Sequence, residues 1–130
     1  MPNEYIKETK EEAWKFYSEW RKTGSFCPAF DSNIVISRKG WNHITGVIGH
    51  KRKWKDVYRR LKLLPEAKEL IEKSTTIQNI KRKKGITYYA IEGLVKTKAK
   101  KGLGYKKVRV IFIEDSQKNK IFLSVMDKND

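Results

Sequence analysis

The spacing of the apolar residues changes once along this chain, and the change limits the folds it can adopt. Up to Lys73 the apolar residues recur every three or four positions, and after Lys73 they alternate with polar residues. The first pattern predicts amphipathic helices and the second predicts strands. Because the helices come first, we expect an α+β domain with its N-terminal helices packed on one face of an antiparallel sheet of four, or five, strands.

A chain of 130 residues has the length of one domain, 1–130. We expect residues 1–30 to form an accessory helix and loop, and residues 31–130 to form the helices and sheet. The predicted helices cover residues 4–22, 51–64 and 65–73, with Pro65 in the first turn of the last. A further brief helix is capped by Ser37, passes through Ile44 and ends near Gly46 or Gly49. Residues 25–32 are predicted as a loop and 34–36 as a short strand or entry segment.

The alternating part predicts four strands, at residues 75–80, 86–95, 105–113 and 120–126. A basic turn over 81–85 joins the first two. The Lys- and Gly-rich segment 97–104 is predicted as a loop, and the run 98–107 as a mobile segment that contacts phosphate or is merely solvated.

Residues two apart on a strand share a face, so each strand divides into two sets. The aliphatic sets belong against the helices, because a buried unpaired charge is very costly. These sets are Tyr89, Ile91 and Val95, then Val108, Val110 and Phe112, then Ile121, Leu123 and Val125. The opposite face then carries Tyr88, Glu92, Lys96, Lys107, Arg109, Phe122 and Ser124. That mixture can bind phosphates by charge and bases by stacking, although an ordinary solvated face would look the same.

The charge of the chain is concentrated in its second part. Residues 51–130 hold 23 Lys and Arg against 9 Asp and Glu, whereas residues 1–50 hold 7 against 6. A net charge of +15 repels itself, so an anionic partner, nucleic acid first, is expected. The single Cys27 and the lack of a long apolar run favour a cytoplasmic protein without a membrane partner.

His43 is the strongest candidate for a chemical role. RNA cleavage without metal needs a group that takes the 2′-OH proton, an acid for the leaving oxygen and cations for the phosphorane. His43 and His50 are the two histidines, and both lie in or beside a basic stretch. Arg52, Lys55 and Arg59 recur at helical spacing, so one helix face can present them to phosphate.

Other chemistries fit poorly. Two histidines, one cysteine and no clustered carboxylates do not make a zinc site or a two-metal nuclease site. The segment Gly102-Leu103-Gly104 lacks the further glycines and the strand-to-helix setting of a nucleotide-binding loop. We therefore expect no metal and no cofactor.

Three segments resemble the barnase–EndoU–colicin–RelE type of ribonuclease, and most closely its small phage-borne and polymorphic-toxin nuclease domains. They are residues 34–44 (IVISRKGWNHI), 59–70 (RRLKLLPEAKEL) and 120–125 (KIFLSV), within a resemblance that spans about residues 30–126. Such proteins have N-terminal helices on a four-stranded antiparallel sheet and cleave RNA, often tRNA, without metal.

The resemblance implies roles for individual residues. His43 is then the general base or acid, Arg52 and Arg59 contact phosphate, and Ser124 lines the cleft with Arg109. Barnase-like members use a carboxylate on the sheet, for which Glu92 is the candidate, whereas many toxin members use none. The expected catalytic residues are thus His43, Arg59, Glu92 and Ser124. The expected RNA-binding residues are His50, Lys51, Arg52, Lys55, Tyr88, Lys96, Lys107 and Arg109.

The sequence is compatible with three functions. The first is a metal-independent ribonuclease, with a toxin domain that acts on tRNA or other structured RNA as its favoured form. The second is a non-catalytic RNA- or DNA-binding protein that uses the same basic sheet face. The third is an interaction protein with an acidic partner, and a cognate acidic inhibitor or immunity protein is compatible with the first function.

Overall fold

A computed structural model describes residues 2–46, 52–99 and 102–127 of the chain, and His50 and Lys51 lie outside these ranges. The helices are α1 (Pro2–Thr23), α2 (Arg38–Thr45), α3 (Trp54–Lys62) and α4 (Leu64–Lys73). The strands are β1 (Ser25–Cys27), β2 (Ser32–Ile34), β3 (Asn79–Lys83), β4 (Ile86–Ala99), β5 (Gly102–Glu114) and β6 (Lys120–Asp127). The α+β class is confirmed: the N-terminal helices pack against one antiparallel sheet of four strands, in the order β3-β4-β5-β6.

Local sequence explains where the early helices begin and end. The Ser37 side chain accepts a hydrogen bond from the Lys39 N–H, which makes it the N-cap of α2. Gly24 follows α1 with φ 63°, and Gly46 follows α2 with φ 72°, a left-handed conformation that glycine adopts without strain. The third helix begins later than predicted, at Trp54, so Arg52 precedes it and does not belong to its exposed face.

Two segments predicted as loops are strands. Residues 25–34 form a small hairpin in which Ser25 pairs with Ile34 and Cys27 pairs with Ser32. The prediction of a loop over 97–104 was also wrong, because β4 and β5 continue, with Thr97 opposite Gly104. The mobile loop proposed for 98–107 is therefore largely a two-stranded arm.

The first strand of the sheet lies further along the chain than the predicted 75–80. It runs from Asn79 to Lys83, and the turn narrows to Lys84 and Gly85, both with positive φ. Cations of the predicted basic turn, Lys81 to Lys83, thus belong to an edge strand, and all five residues of β3 are exposed.

The face of the sheet toward the helices matches the prediction on β4 and β5. Ile91, Val95, Val108, Val110 and Phe112 are all buried there. On β6 the strict alternation was wrong. The register shifts at a β-bulge, so that Phe112 faces Phe122 while Ile111 faces Ser124, and Leu123 is the extra residue. Phe122 therefore enters the core, together with Val125, rather than the opposite face.

The N-terminal helix contributes to this core. Tyr17 and Trp20 are buried, and the Trp20 and Phe122 rings lie 5.2 Å apart between centroids. Gly40 of α2 lies against the same aromatic group: a Cβ at this position would approach the Tyr17 hydroxyl to 2.6 Å and the Phe122 carbonyl oxygen to 2.7 Å. The glycine thus allows α2 to pack directly on the bulged strand.

The outer edge of β6 is partly covered. The Val35 N–H donates to the Lys120 carbonyl at 2.9 Å, and the Phe122 N–H donates to the Val35 carbonyl at 3.0 Å. This parallel bridge joins residues about 86 positions apart in the sequence. None of the described helices is long and apolar enough to cross a bilayer.

Candidate functional site

The half-buried His43 side chain lies in the last turn of α2, beside a buried arginine. The Arg52 Nε donates to the His43 carbonyl at 2.8 Å, and an Arg52 terminal nitrogen lies 2.9 Å from the His43 Nε2. A guanidinium can only donate, so Nε2 accepts and the ring carries its proton on Nδ1. Arg52 thereby orients the His43 ring.

Asp56, in the first turn of α3, connects Arg52 to two further arginines. It accepts hydrogen bonds from Arg52 at 2.9 Å, from Arg60 at 3.0 Å and from Arg59 at 3.3 Å. Burial by itself would raise the pKa of Asp56, but the hydrogen bonds from Arg60, Arg52 and Arg59 outweigh it and lower the pKa below its ordinary value. Asp56 is therefore a stable anion that forms ion pairs with Arg52, Arg59 and Arg60.

Arg60 extends the chain of contacts to the sheet. It donates to the Ser124 hydroxyl at 2.7 Å and to the Val125 carbonyl at 3.4 Å, at the edge of β6 beyond the bulge. Ser124 is almost fully buried, with 1 % of its surface exposed. We call these residues the His43 network: His43, Arg52, Asp56, Arg59, Arg60 and Ser124.

The His43 network brings together four predicted site residues, His43, Arg52, Arg59 and Ser124. Their environments differ: the Arg52 side chain is 8 % exposed, whereas the Arg59 side chain is 55 % exposed and also lies 3.6 Å from Asp127. Sequence reasoning missed Asp56 and Arg60. The signal was present, because Arg52, Asp56 and Arg60 are spaced four apart, as helical ion pairs often are.

A second group of predicted residues lies on the face of the sheet opposite the helix-packed core. Arg109 and Glu92 are opposite each other on β5 and β4, and an Arg109 terminal nitrogen lies 2.7 Å from a Glu92 carboxylate oxygen. Arg109 lines a depression of about 310 Å³, the sheet groove. Its lining residues are Asn79, Lys81, Lys83, Tyr88, Tyr89, Ala90, Arg109 and Ile111.

The sheet groove combines an apolar floor with cationic walls. Ala90 and Ile111 are opposite each other in the register and form the floor, while Lys81 is opposite Tyr88 at one side. Sequence reasoning missed Lys81 and Lys83, because β3 was placed too early and they were assigned to a turn. The groove can hold a planar ring next to negatively charged groups.

A third group lines a larger depression on the helix side, the helix groove, with a volume of about 760 Å³. It contains the predicted residues Lys55, Arg59 and Lys96. The complete lining is Lys55, Tyr58, Arg59, Lys62, Leu63, Glu66, Lys96 and Lys106.

The remaining predicted residues lie elsewhere or outside the description. Lys107 is opposite Leu94 in the β4–β5 register, on the side of Glu92 and Arg109. His50 and Lys51 fall outside the described residues, so their predicted roles rest on sequence alone. Across the described ranges, no group of three or more His, Cys, Asp or Glu side chains is arranged to bind a metal ion.

Comparison with known proteins adds no relative: no family model matches the chain, and neither a curated protein nor a solved structure matches it.

Proposed function

We propose that this protein is a metal-independent endoribonuclease that acts on tRNA or other structured RNA. The observation that carries the proposal is the His43 network, in which a histidine ring is oriented by a buried guanidinium. Residues from α2, α3 and β6 that are up to 81 positions apart contribute to it. An oriented imidazole beside several cations is what attack by a 2′-OH on its own phosphodiester requires.

In the proposed reaction His43 serves as acid or base. When Nε2 takes the 2′-OH proton, it exchanges the hydrogen bond from Arg52 for one from the RNA. The released Arg52 N–H can then donate to the phosphorane, whose negative charge the guanidinium stabilises. The 2′-oxygen bonds to phosphorus as the bond from phosphorus to the 5′-oxygen breaks, and the leaving 5′-oxygen takes a proton from water. The His43 imidazolium returns its proton to the resulting hydroxide, and the products are a 2′,3′-cyclic phosphate and a 5′-hydroxyl.

In this proposal other residues bind the RNA or hold the side chains of the site in place. Arg59 is the exposed guanidinium next to Asp56, so it can contact a non-bridging phosphate oxygen. Ser124 is buried against Arg60 and acts as a positioning residue, without direct contact to RNA. On the sheet, Glu92 holds Arg109, and the sheet groove takes adjoining nucleotides by stacking and charge.

Nucleic-acid binding without cleavage is the second candidate. The sheet groove favours it, because its aromatic and cationic lining can bind RNA or DNA whether or not His43 takes part in chemistry.

Cleavage of total RNA in EDTA, followed by analysis of the product ends, tests the first proposal. We expect wild type to produce cyclic-phosphate ends and His43→Gln to be slower by about 10²–10⁴-fold. Glutamine keeps an acceptor for Arg52, so a role of His43 that is merely structural would leave the rate largely unchanged. Lys39→Gln, on the exposed side of the same helix, serves as the matched control.

Two results separate the candidates. If pure wild-type protein leaves RNA intact while binding it with a steep salt dependence, the protein is a binding protein and the nuclease proposal is wrong. If His43→Gln cleaves as fast as wild type, the assignment of His43 fails.

A further inference from the structure

The helix groove has a large excess of positive charge. Five of its eight lining residues are cationic: Lys55, Arg59, Lys62, Lys96 and Lys106. Glu66 is the one carboxylate in the lining, and Asp127 lies nearby, 3.6 Å from Arg59 and 3.8 Å from Lys106. Two carboxylates against five cations leave charge that an anionic ligand can neutralise.

Three of these lysines are available to a ligand. Within residues 2–46, 52–99 and 102–127, Lys55, Lys62 and Lys96 form no ion pair with a carboxylate, and all three are exposed. The Lys62 Nζ lies 5.8 Å from the centroid of the Tyr58 ring, and both residues line the groove.

The chemistry of the lining favours a phosphate backbone over an acidic protein. Protein interfaces are anchored by exposed aromatic or aliphatic side chains that become buried on binding. Here Leu63 is already buried in the core, and Tyr58 is half-buried beneath Lys62. A concave surface whose lining is rich in cations and holds no exposed apolar anchor matches the non-specific contacts that proteins make with RNA or DNA phosphates.

The helix groove is separate from the sheet groove. Lys106 is opposite Val95, a core residue, and therefore lies on the helix side, whereas the sheet groove lies on the other face around Ala90 and Ile111. The two grooves have no lining residue in common.

We propose that the helix groove is a second RNA-binding surface, which takes the phosphate backbone of a segment other than the one on the sheet groove. This inference rests on the RNA-binding part of the proposed function, and cleavage plays no role in it. Arg59, shared by the groove and the His43 network, connects this surface to the proposed reaction site.

The test measures binding of a 2′-O-methyl RNA of mixed sequence, about 20 nucleotides long, which cannot be cut by 2′-OH attack. Affinity is measured against salt for wild type and for the variant Lys55→Gln/Lys62→Gln/Lys96→Gln. The matched control is Lys7→Gln/Lys15→Gln/Lys22→Gln, which removes three exposed lysines from α1. The slope of log K against log salt is negative, and we expect it to be less steep by about 2 in the groove variant. This is close to 0.7 for each of three lost contacts on a single strand.

The proposal is overturned if the groove variant and the control behave alike. It is also overturned if the groove variant loses binding to poly-glutamate but keeps its affinity for the RNA, because the surface would then serve an acidic protein. These outcomes are independent of cleavage. An active nuclease with an unchanged salt slope refutes the second surface alone, whereas a reduced slope without cleavage refutes the nuclease alone.

Discussion

Asp56 is the residue on which the candidate site depends most, since Arg52, Arg59 and Arg60 all donate to it. Its lowered pKa has a consequence for stability. A carboxyl group with a depressed folded-state pKa contributes its full stabilisation above its ordinary pKa of about 4, and loses it as the pH falls towards the folded-state value. The contribution of Asp56 is therefore present at neutral pH and lost in acid.

We expect Asp56→Asn to lower the free energy of unfolding at pH 7 by about 2 kcal/mol. This is less than the 3–5 kcal/mol typical of a fully buried pair, because the Asp56 side chain is 25 % exposed. Urea unfolding from pH 7 down to about pH 3 should show the difference from wild type shrinking. Asp31→Asn, at an exposed position with φ 50° that asparagine tolerates, is the control. A difference that stays constant with pH would contradict this account.

At the same scale, the sequence pointed to His43, Arg52, Arg59 and Ser124, which the structure brings into one network, but it placed Arg52 wrongly. Helical spacing placed Arg52 on a solvent face with Lys55 and Arg59. In the structure α3 begins after Arg52, which turns inward to His43 and Asp56. A pattern of spacings cannot predict where a helix begins when no side chain caps it, and Lys53 provides no such cap.

At the scale of elements, β6 shows how one extra residue in a strand changes which side chains face the core. Strict alternation put Ile121 and Leu123 in the core and Phe122 outside. The bulge places Phe122 opposite Phe112, with Leu123 inserted before Ser124. The strand and its length were predictable from the sequence. The bulge was not, because a pattern local to the strand does not contain the contacts that Phe122 makes with Tyr17 and Trp20 of α1.

We expect Phe122→Ala to cost about 3–5 kcal/mol of unfolding free energy, because a fully buried ring is replaced by a cavity. Ile121→Ala, at a half-buried position, should cost about 1 kcal/mol. Denaturant unfolding measures both, and Phe122→Leu provides a milder change if the alanine variant does not fold. The reverse order of costs would show that β6 alternates regularly and has no bulge.

At the scale of the whole molecule, the order of elements was predictable and the paths of several connections were not. The change of period after Lys73 correctly predicted helices before a four-stranded sheet. The β1–β2 hairpin was missed because Pro28 and the Asp-Ser-Asn cluster at 31–33 are typical of a loop. The long β4–β5 arm was missed because its glycines and lysines look like loop residues but are tolerated in paired strands.

The net charge of +15 also acts on the whole molecule. Like charges oppose the compact state, and added salt screens them. We expect the urea midpoint to rise as NaCl increases from about 20 mM to about 300 mM, because the Debye length falls below the spacing of many surface cations. An unchanged m value serves as the check that the unfolded state is the same. A falling midpoint would show that ion pairs such as those of Asp56 outweigh the general repulsion.

The two outer edges of the sheet have a further consequence, for self-association. Val35 covers the start of the β6 edge and Arg60 bonds to the Val125 carbonyl, while the β3 edge carries Lys81, Arg82 and Lys83. Exposed edges recruit strands from other molecules unless they are covered or charged. The β3 cations thus protect the domain from aggregation, and neutralising them in order to test the proposed RNA binding would also remove that protection.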